Sequence, residues 1–161
     1  LTIPNMAVLR TLDMYEIKMV GLNIERRTSS RNKIPTPLGF PSLYTVRLTQ
    51  CHGLKDLTWL LYAPNLVSLT VGRSAQIEEI IGKGKAVNIF TEEEAGNIIP
   101  FQRLEHLEVY QLPKLKSIYW SPLPFPRLRK FSIARCPDLR KLPLDSKSGG
   151  NNPGEDLVIR N

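Results

Sequence analysis

FPSLYTVRLTQCHGLKDL, residues 40–57, is answered later in the chain by FPRLRKFSIARCPDLRKL, residues 125–142. Phe40 and Phe125, Leu43 and Leu128, Cys51 and Cys136, Leu54 and Leu139, and Leu57 and Leu142 fall on the same positions, and apolar residues fill the places between. With Leu43 as anchor, the pattern asks for apolar or small residues at offsets 3, 5, 8, 11 and 14, met by Val46, Leu48, Cys51, Leu54 and Leu57. From Leu66 the same offsets give Leu69, Val71, Ser74, Ile77 and Ile80, and from Leu104 they give Leu107, Val109, Leu112, Leu115 and Ile118. Leu128 opens a further copy with Phe131, Ile133, Cys136, Leu139 and Leu142, and Leu9 a looser one with Leu12, Met14, Ile17 and Val20. Met6, Phe40, Ala63, Phe101 and Phe125 stand three residues before the anchors.

A pattern that recurs at linked offsets through the whole chain is the signature of a repeat architecture, and this spacing fits the leucine-rich repeat template of about 20 to 29 residues. Offsets 3 and 5 are two apart, so each unit opens with a short strand whose apolar face is buried. Offsets 8, 11 and 14 are three apart, which suits irregular or 3₁₀-like turns, and Pro64, Pro113, Pro137 and Pro143 would interrupt α-helix there. The expected fold is an α/β-type solenoid, mostly strand and irregular: one leucine-rich repeat domain over residues 1–161, a horseshoe segment of about five units with a parallel sheet on its open face. The anchors Leu9 and Leu43, and again Leu66 and Leu104, are more widely spaced than the others, so two units carry insertions. These fall near 25–39 and 82–96 and read as exposed loops. Residues 146–161 read as a C-terminal loop and cap, with Leu157 and Ile159 on a last edge strand.

The 161 residues are 42% hydrophobic and 23% charged, with 13 Pro, 10 Gly and 2 Cys, the balance of one globular domain rather than a disordered, fibrous or disulfide-stapled chain. Apolar runs such as 57–63 are far shorter than the roughly 20 residues of a membrane span, and no leader-like segment opens the sequence. The chain begins at Leu1, inside the repeating pattern, and is expected to be a piece of a longer protein. The net charge is +7. Much of the positive charge lies between Phe125 and Ser148, whereas Glu92, Glu93 and Glu94 form an acidic run. No recognition motif accompanies the basic residues, so they read as a protein-binding or solubilising face rather than a nucleic-acid site.

Catalytic candidates are few. His52 and His106 lie in different units with no Cys or His at metal-ligand spacing, so they read as structural or exposed, and neither a metal site nor an enzyme is expected. Gly82-Lys83-Gly84-Lys85 lacks the spacing and the strand-to-helix context of a phosphate loop. Cys51 and Cys136 occupy one offset in units three strands apart, about 14 Å at the usual strand spacing, whereas a disulfide needs Cα atoms within about 7 Å. They are expected to be buried free thiols in a reducing compartment. Function then falls to the residues that alternate with the buried ones, from which Arg47, Glu108, Tyr110 and Lys130 are the candidate protein-binding residues, aromatics and arginine being enriched at binding anchors.

The two long phrases at 40–57 and 125–142 resemble the C-terminal repeats of plant intracellular immune receptors. APNLVSLTV at 63–71, IEEII at 77–81 with a charged insertion after it, and LPKLKSIY at 112–119 narrow the resemblance to the coiled-coil, nucleotide-binding, leucine-rich-repeat disease resistance proteins. The resemblance implies a binding and autoregulatory module in the defence response, contacting a pathogen effector, a host guardee or the receptor's own nucleotide-binding domain, in the cytoplasm or at the inner face of the plasma membrane. ATP or ADP would belong to an upstream domain, and no cofactor to these residues. The alternative is the substrate-recruiting repeat domain of a ubiquitin ligase adaptor, in which an F-box helix pair would precede the repeats.

Overall fold

The computed structural model describes residues 7–19, 39–89, 99–149 and 158–160. Five strands begin two residues after their anchors: β1 (Thr11–Tyr15), β2 (Thr45–Thr49), β3 (Ser68–Gly72), β4 (His106–Tyr110) and β5 (Lys130–Ala134). A sixth, β6 (Val158–Arg160), supplies the expected edge strand. All pair in parallel, each with the next in chain order. The register follows the offsets residue for residue: Leu12, Val46, Leu69, Leu107 and Phe131 form one row and Met14, Leu48, Val71, Val109 and Ile133 another. A slip of one residue would carry both rows onto the opposite face, so burial fixes the register. Ile159 pairs with Phe131 at the C-terminal edge.

Two small devices recur from unit to unit and make the strands start and stop together. The carbonyl three residues before the anchor accepts the anchor's N–H, as in Phe40 with Leu43 at 3.1 Å, Ala63 with Leu66 at 3.2 Å, Phe101 with Leu104 at 3.1 Å and Phe125 with Leu128 at 3.2 Å. At offset 7 stand Glu16, Gln50, Arg73, Gln111 and Arg135, all with φ between 51° and 56°. The left-handed conformation costs a non-glycine residue about 1–2 kcal/mol. In return the N–H stays on the ladder: Glu16 donates to Thr49 O, Gln50 to Gly72 O, Arg73 to Tyr110 O and Gln111 to Ala134 O, at 2.8–3.1 Å. A net hydrogen bond of about 1 kcal/mol offsets much of that strain, and the buried rows on either side hold the rest.

Beyond the strands the chain returns along a second, broken parallel ladder in which offset 13 pairs with offset 13, Asp56 with Glu79 and Glu79 with Ser117. Between the two ladders lies the core, with Leu54, Ile77 and Leu115 at offset 11 and Leu57, Ile80 and Ile118 at offset 14 at most 1% exposed. Ser74, the polar residue at a core offset, is satisfied there: its hydroxyl accepts from Cys51 N at 3.1 Å and donates to Gly72 O at 2.9 Å. The returning segment of the Leu43 unit contains a 3₁₀ helix, Thr58–Tyr62, as its spacing suggests.

Three expectations need correction. The second insertion is not a loop throughout, because an α-helix, α1 (Lys83–Ile89), occupies its start. Its buried Ala86 and a latch onto the 3₁₀ helix hold it: Gly82 N donates to Thr58 Oγ1 at 3.0 Å, Thr58 Oγ1 donates to Asp56 Oδ1 at 2.7 Å, and Lys85 Nζ lies 2.6 Å from Asp56 Oδ2. Leu142, expected inside, is 39% exposed. Cys136, expected to be buried like Cys51, is half-buried, and both are free thiols. The first insertion lies outside the described residues except for Gly39, whose φ of 129° and closeness to Tyr62 O, 2.6 Å from any Cβ placed there, admit only glycine. At the C-terminus 146–149 form a pinned turn, with Ser148 Oγ donating to Leu123 O at 3.0 Å and Gly149 N to Phe125 O at 2.9 Å. Residues 150–157 lie outside the described residues.

Candidate protein-binding face

Side chains at offsets 2, 4 and 6 point away from the core, and the register sorts them into three rows across the sheet. The middle row runs Asp13, Arg47, Thr70, Glu108 and Ser132, so Arg47 and Glu108 face each other across Thr70, two strand spacings or about 10 Å apart. Lys130 lies in the row of Thr11, Thr45, Ser68 and His106. Tyr110 lies in the row of Tyr15, Thr49, Gly72 and Ala134. All four residues singled out from the sequence therefore share the open face. They are spread over four strands, from Arg47 on β2 to Lys130 on β5, and over all three rows.

Arg47 and Lys130 are exposed, whereas Glu108 and Tyr110 are half-buried. The expectation of an exposed Tyr110 is corrected by its neighbour Gly72, which is buried because the phenol ring lies over it. A Cβ on Gly72 would stand 2.2 Å from Tyr110 Cζ. This glycine is the complement of the tyrosine, and a strand residue without a side chain beside an aromatic column is the signal that could have found it. β3 thus offers Ser68, Thr70 and Gly72, a shallow middle flanked by the larger side chains of β2 and β4. Tyr15, 60% exposed, marks the N-terminal side of the face.

Elsewhere several ionisable groups serve the scaffold. Burial pushes the Asp56 carboxyl up, but hydrogen bonds from Lys85 and Thr58 outweigh it and hold the group below its ordinary value. The hydrogen bond from Lys116, 2.7 Å away, holds Glu78 down and Lys116 up. Burial raises the thiols of Cys51 and Cys136, leaving them poor nucleophiles. His52 sits at a bridge to Lys18 on the returning ladder and His106 on β4, both exposed. Among the described residues no three His, Cys, Asp or Glu side chains group as metal ligands, and no helix is long and apolar enough to cross a membrane. What the surface offers chemically is hydrogen bonding, charge pairing and aromatic contact from a rigid sheet.

Comparison with known proteins agrees with this geometry. Residues 13–145 match the family model described as plant disease resistance protein RPS2-like, leucine-rich repeats. In Arabidopsis thaliana the chain is similar to Disease resistance protein RPS5, 50% identical over 99% of this chain and 17% of the relative. It is also similar to Probable disease resistance protein At4g14610, 48% identical over 99% of this chain and 21% of the relative, and to Disease resistance protein SUMM2, 45% identical over 99% and 17%. The chain spans about a fifth of the length of these curated relatives. No solved structure matches it. Repeat spacing, an in-register parallel sheet and a family match across most of the chain lead to one assignment: the chain belongs to the leucine-rich repeats of RPS2-like plant disease resistance proteins.

Proposed function

We propose that this chain is a protein-binding and autoregulatory module of a plant disease resistance protein, acting in the defence response by surface recognition rather than catalysis. The observation that supports this reading is the open face, where one register presents Arg47, Glu108, Tyr110 and Lys130 on the same side of the sheet among hydroxyl side chains. Continued through further units, the sheet would curve into a horseshoe whose inner surface meets a pathogen effector, the host protein that the effector modifies, or the receptor's own nucleotide-binding domain, within the cell. ATP or ADP exchange would belong to that other domain. The resistance-protein relatives favour this reading over a ubiquitin ligase adaptor.

Changing Arg47, Glu108, Tyr110 and Lys130 together to Ala in a full-length receptor should leave folding intact and weaken partner association by about 2 kcal/mol or more, the scale of an interface hot spot. Loss of the defence response on effector challenge indicates lost recognition, and constitutive response indicates lost self-restraint. A folded quadruple variant with unchanged binding and signalling rejects the face.

A further inference from the structure

At the N-terminal ends of the strands the backbone forms a continuous ledge. Each residue at offset 1 donates its N–H to the offset-1 carbonyl before it: Tyr44 to Arg10, Val67 to Tyr44, Glu105 to Val67 and Arg129 to Glu105, at 2.8–2.9 Å. The geometry repeats, but the chemistry changes along it. In the Leu43 and Leu66 units the ledge is neutral and partly apolar, with Tyr44 45% exposed and Val67 half-buried beside Ser42 and Asn65. In the last two units it is basic, with Arg103, Arg127, Arg129 and Lys130 all exposed. Glu105 engages Arg129 at 3.9 Å, and among the described residues Arg103, Arg127 and Lys130 form no ion pair.

We infer that this ledge is a docking site for an extended acidic protein segment laid across the strands, its carboxylates on Arg103, Arg127 and Lys130 and an apolar side chain on Tyr44 and Val67. This names the chemistry of one partner and rests on the reading of the chain as a protein-binding module. Like charges one strand apart repel, within a Debye length of one another, so a chain bearing carboxylates lowers the energy of the ledge. A nucleic acid would be served by basic residues all along its path. Here the cations of the last two units give way to two neutral, partly apolar units before the single Arg10 at the other end, and Glu105 stands among the cations. From Tyr44 to the units of Arg103 and Arg127 is two to three strand spacings, about 10–14 Å, which about three to four residues of extended chain cover. The segment therefore carries an apolar residue about four positions from its acidic run.

The test uses this chain and a fluorescein-labelled peptide with one leucine about four residues from three successive glutamates, read by fluorescence anisotropy. Arg103→Glu with Arg127→Glu should weaken binding by about tenfold or more, and Tyr44→Ala by a few-fold. Lys55→Ala, an exposed cation on the returning side of the Leu43 unit, should leave it unchanged. None of Arg103, Arg127 and Tyr44 is changed in the quadruple variant of the signalling test, so the two tests fail independently. Arg103→Gln with Arg127→Gln, checked by thermal melting, keeps the result readable should charge reversal unfold the chain. Absence of peptide binding, or binding indifferent to both Arg pairs or to Tyr44→Ala, overturns the inference. So does tighter binding of a single-stranded oligonucleotide of equal charge, or of phosphatidylserine vesicles, at the same ledge.

Discussion

The units anchored at Leu104 and Leu128 share one backbone and one pattern, yet differ in how well they bury it. In the first, Leu112, Leu115 and Ile118 are at most 1% exposed; in the second, Cys136 and Leu139 are half-buried and Leu142 is open to solvent. Their strands differ far less, since Leu107 and Phe131 are both buried. β5 has β6 beyond it, whereas on the returning side of its unit the last bridge among the described residues is that between Leu123 and Leu144. The same thinning appears at the other end, where Leu9, Leu12 and Ile17 are half-buried. An apolar offset states what a residue can do; burial is conferred by a neighbour on each side, as expected of an architecture whose stability sums over adjacent units.

The sharpest way to break this comparison is to delete the same methyl groups in both units. Leu115→Ala should cost about 3 kcal/mol, because a filled interior cannot collapse onto the cavity, and Leu142→Ala less than about 1 kcal/mol. Urea denaturation of the two variants would check it, and equal losses would mean that the last unit is packed as tightly as the one before. A smaller effect is expected at Gly72→Ala, whose methyl group would drive the Tyr110 ring from its seat. About 1 kcal/mol should be lost and largely recovered when Tyr110→Ala is added, a coupling that a double-mutant cycle measures directly.

The smallest concerns the latch of α1. The Asp56 carboxyl lies below its unfolded value of about 3.9, so the stability it contributes is present above that pH and is lost as pH falls through the lower folded value. With Lys85 largely exposed, the effect should be a few tenths of a kcal/mol. Hydrogen exchange at the Ala86 amide, which donates to Gly82 O at 3.0 Å, should speed up relative to the β-strand amides as the pH falls toward 3. In Asp56→Asn that pH-dependent gain should vanish.

Strand positions and register could be read from the leucines because burial leaves one phase for a two-residue period, and the register followed every anchor from Leu9 to Leu128. The left-handed residues at offset 7 could not: Glu, Gln and Arg carry no preference for that conformation, and only the neighbouring hydrogen bonds impose it. Helix α1 was hidden by Gly82 and Gly84, which read as loop, while its anchors Asp56 and Thr58 lie on another unit. The candidate face was found as a set of rows. The fit of Tyr110 over Gly72 was missed because it joins residues far apart in sequence and adjacent only in the sheet.

The candidate face and the ledge both depend on the strands turning the stated side to the core, and one measurement reaches that claim most directly: thermal melting of Leu69→Asp beside Thr70→Asp. These neighbours on β3 differ chiefly in phase. A carboxylate at 69, sealed in the interior without a partner, should abolish cooperative unfolding or lower the melting temperature by well over about 10 °C, while the same carboxylate at 70 should shift it by only about a degree or two. Equal losses at the two positions would contradict this phase, and with it the face.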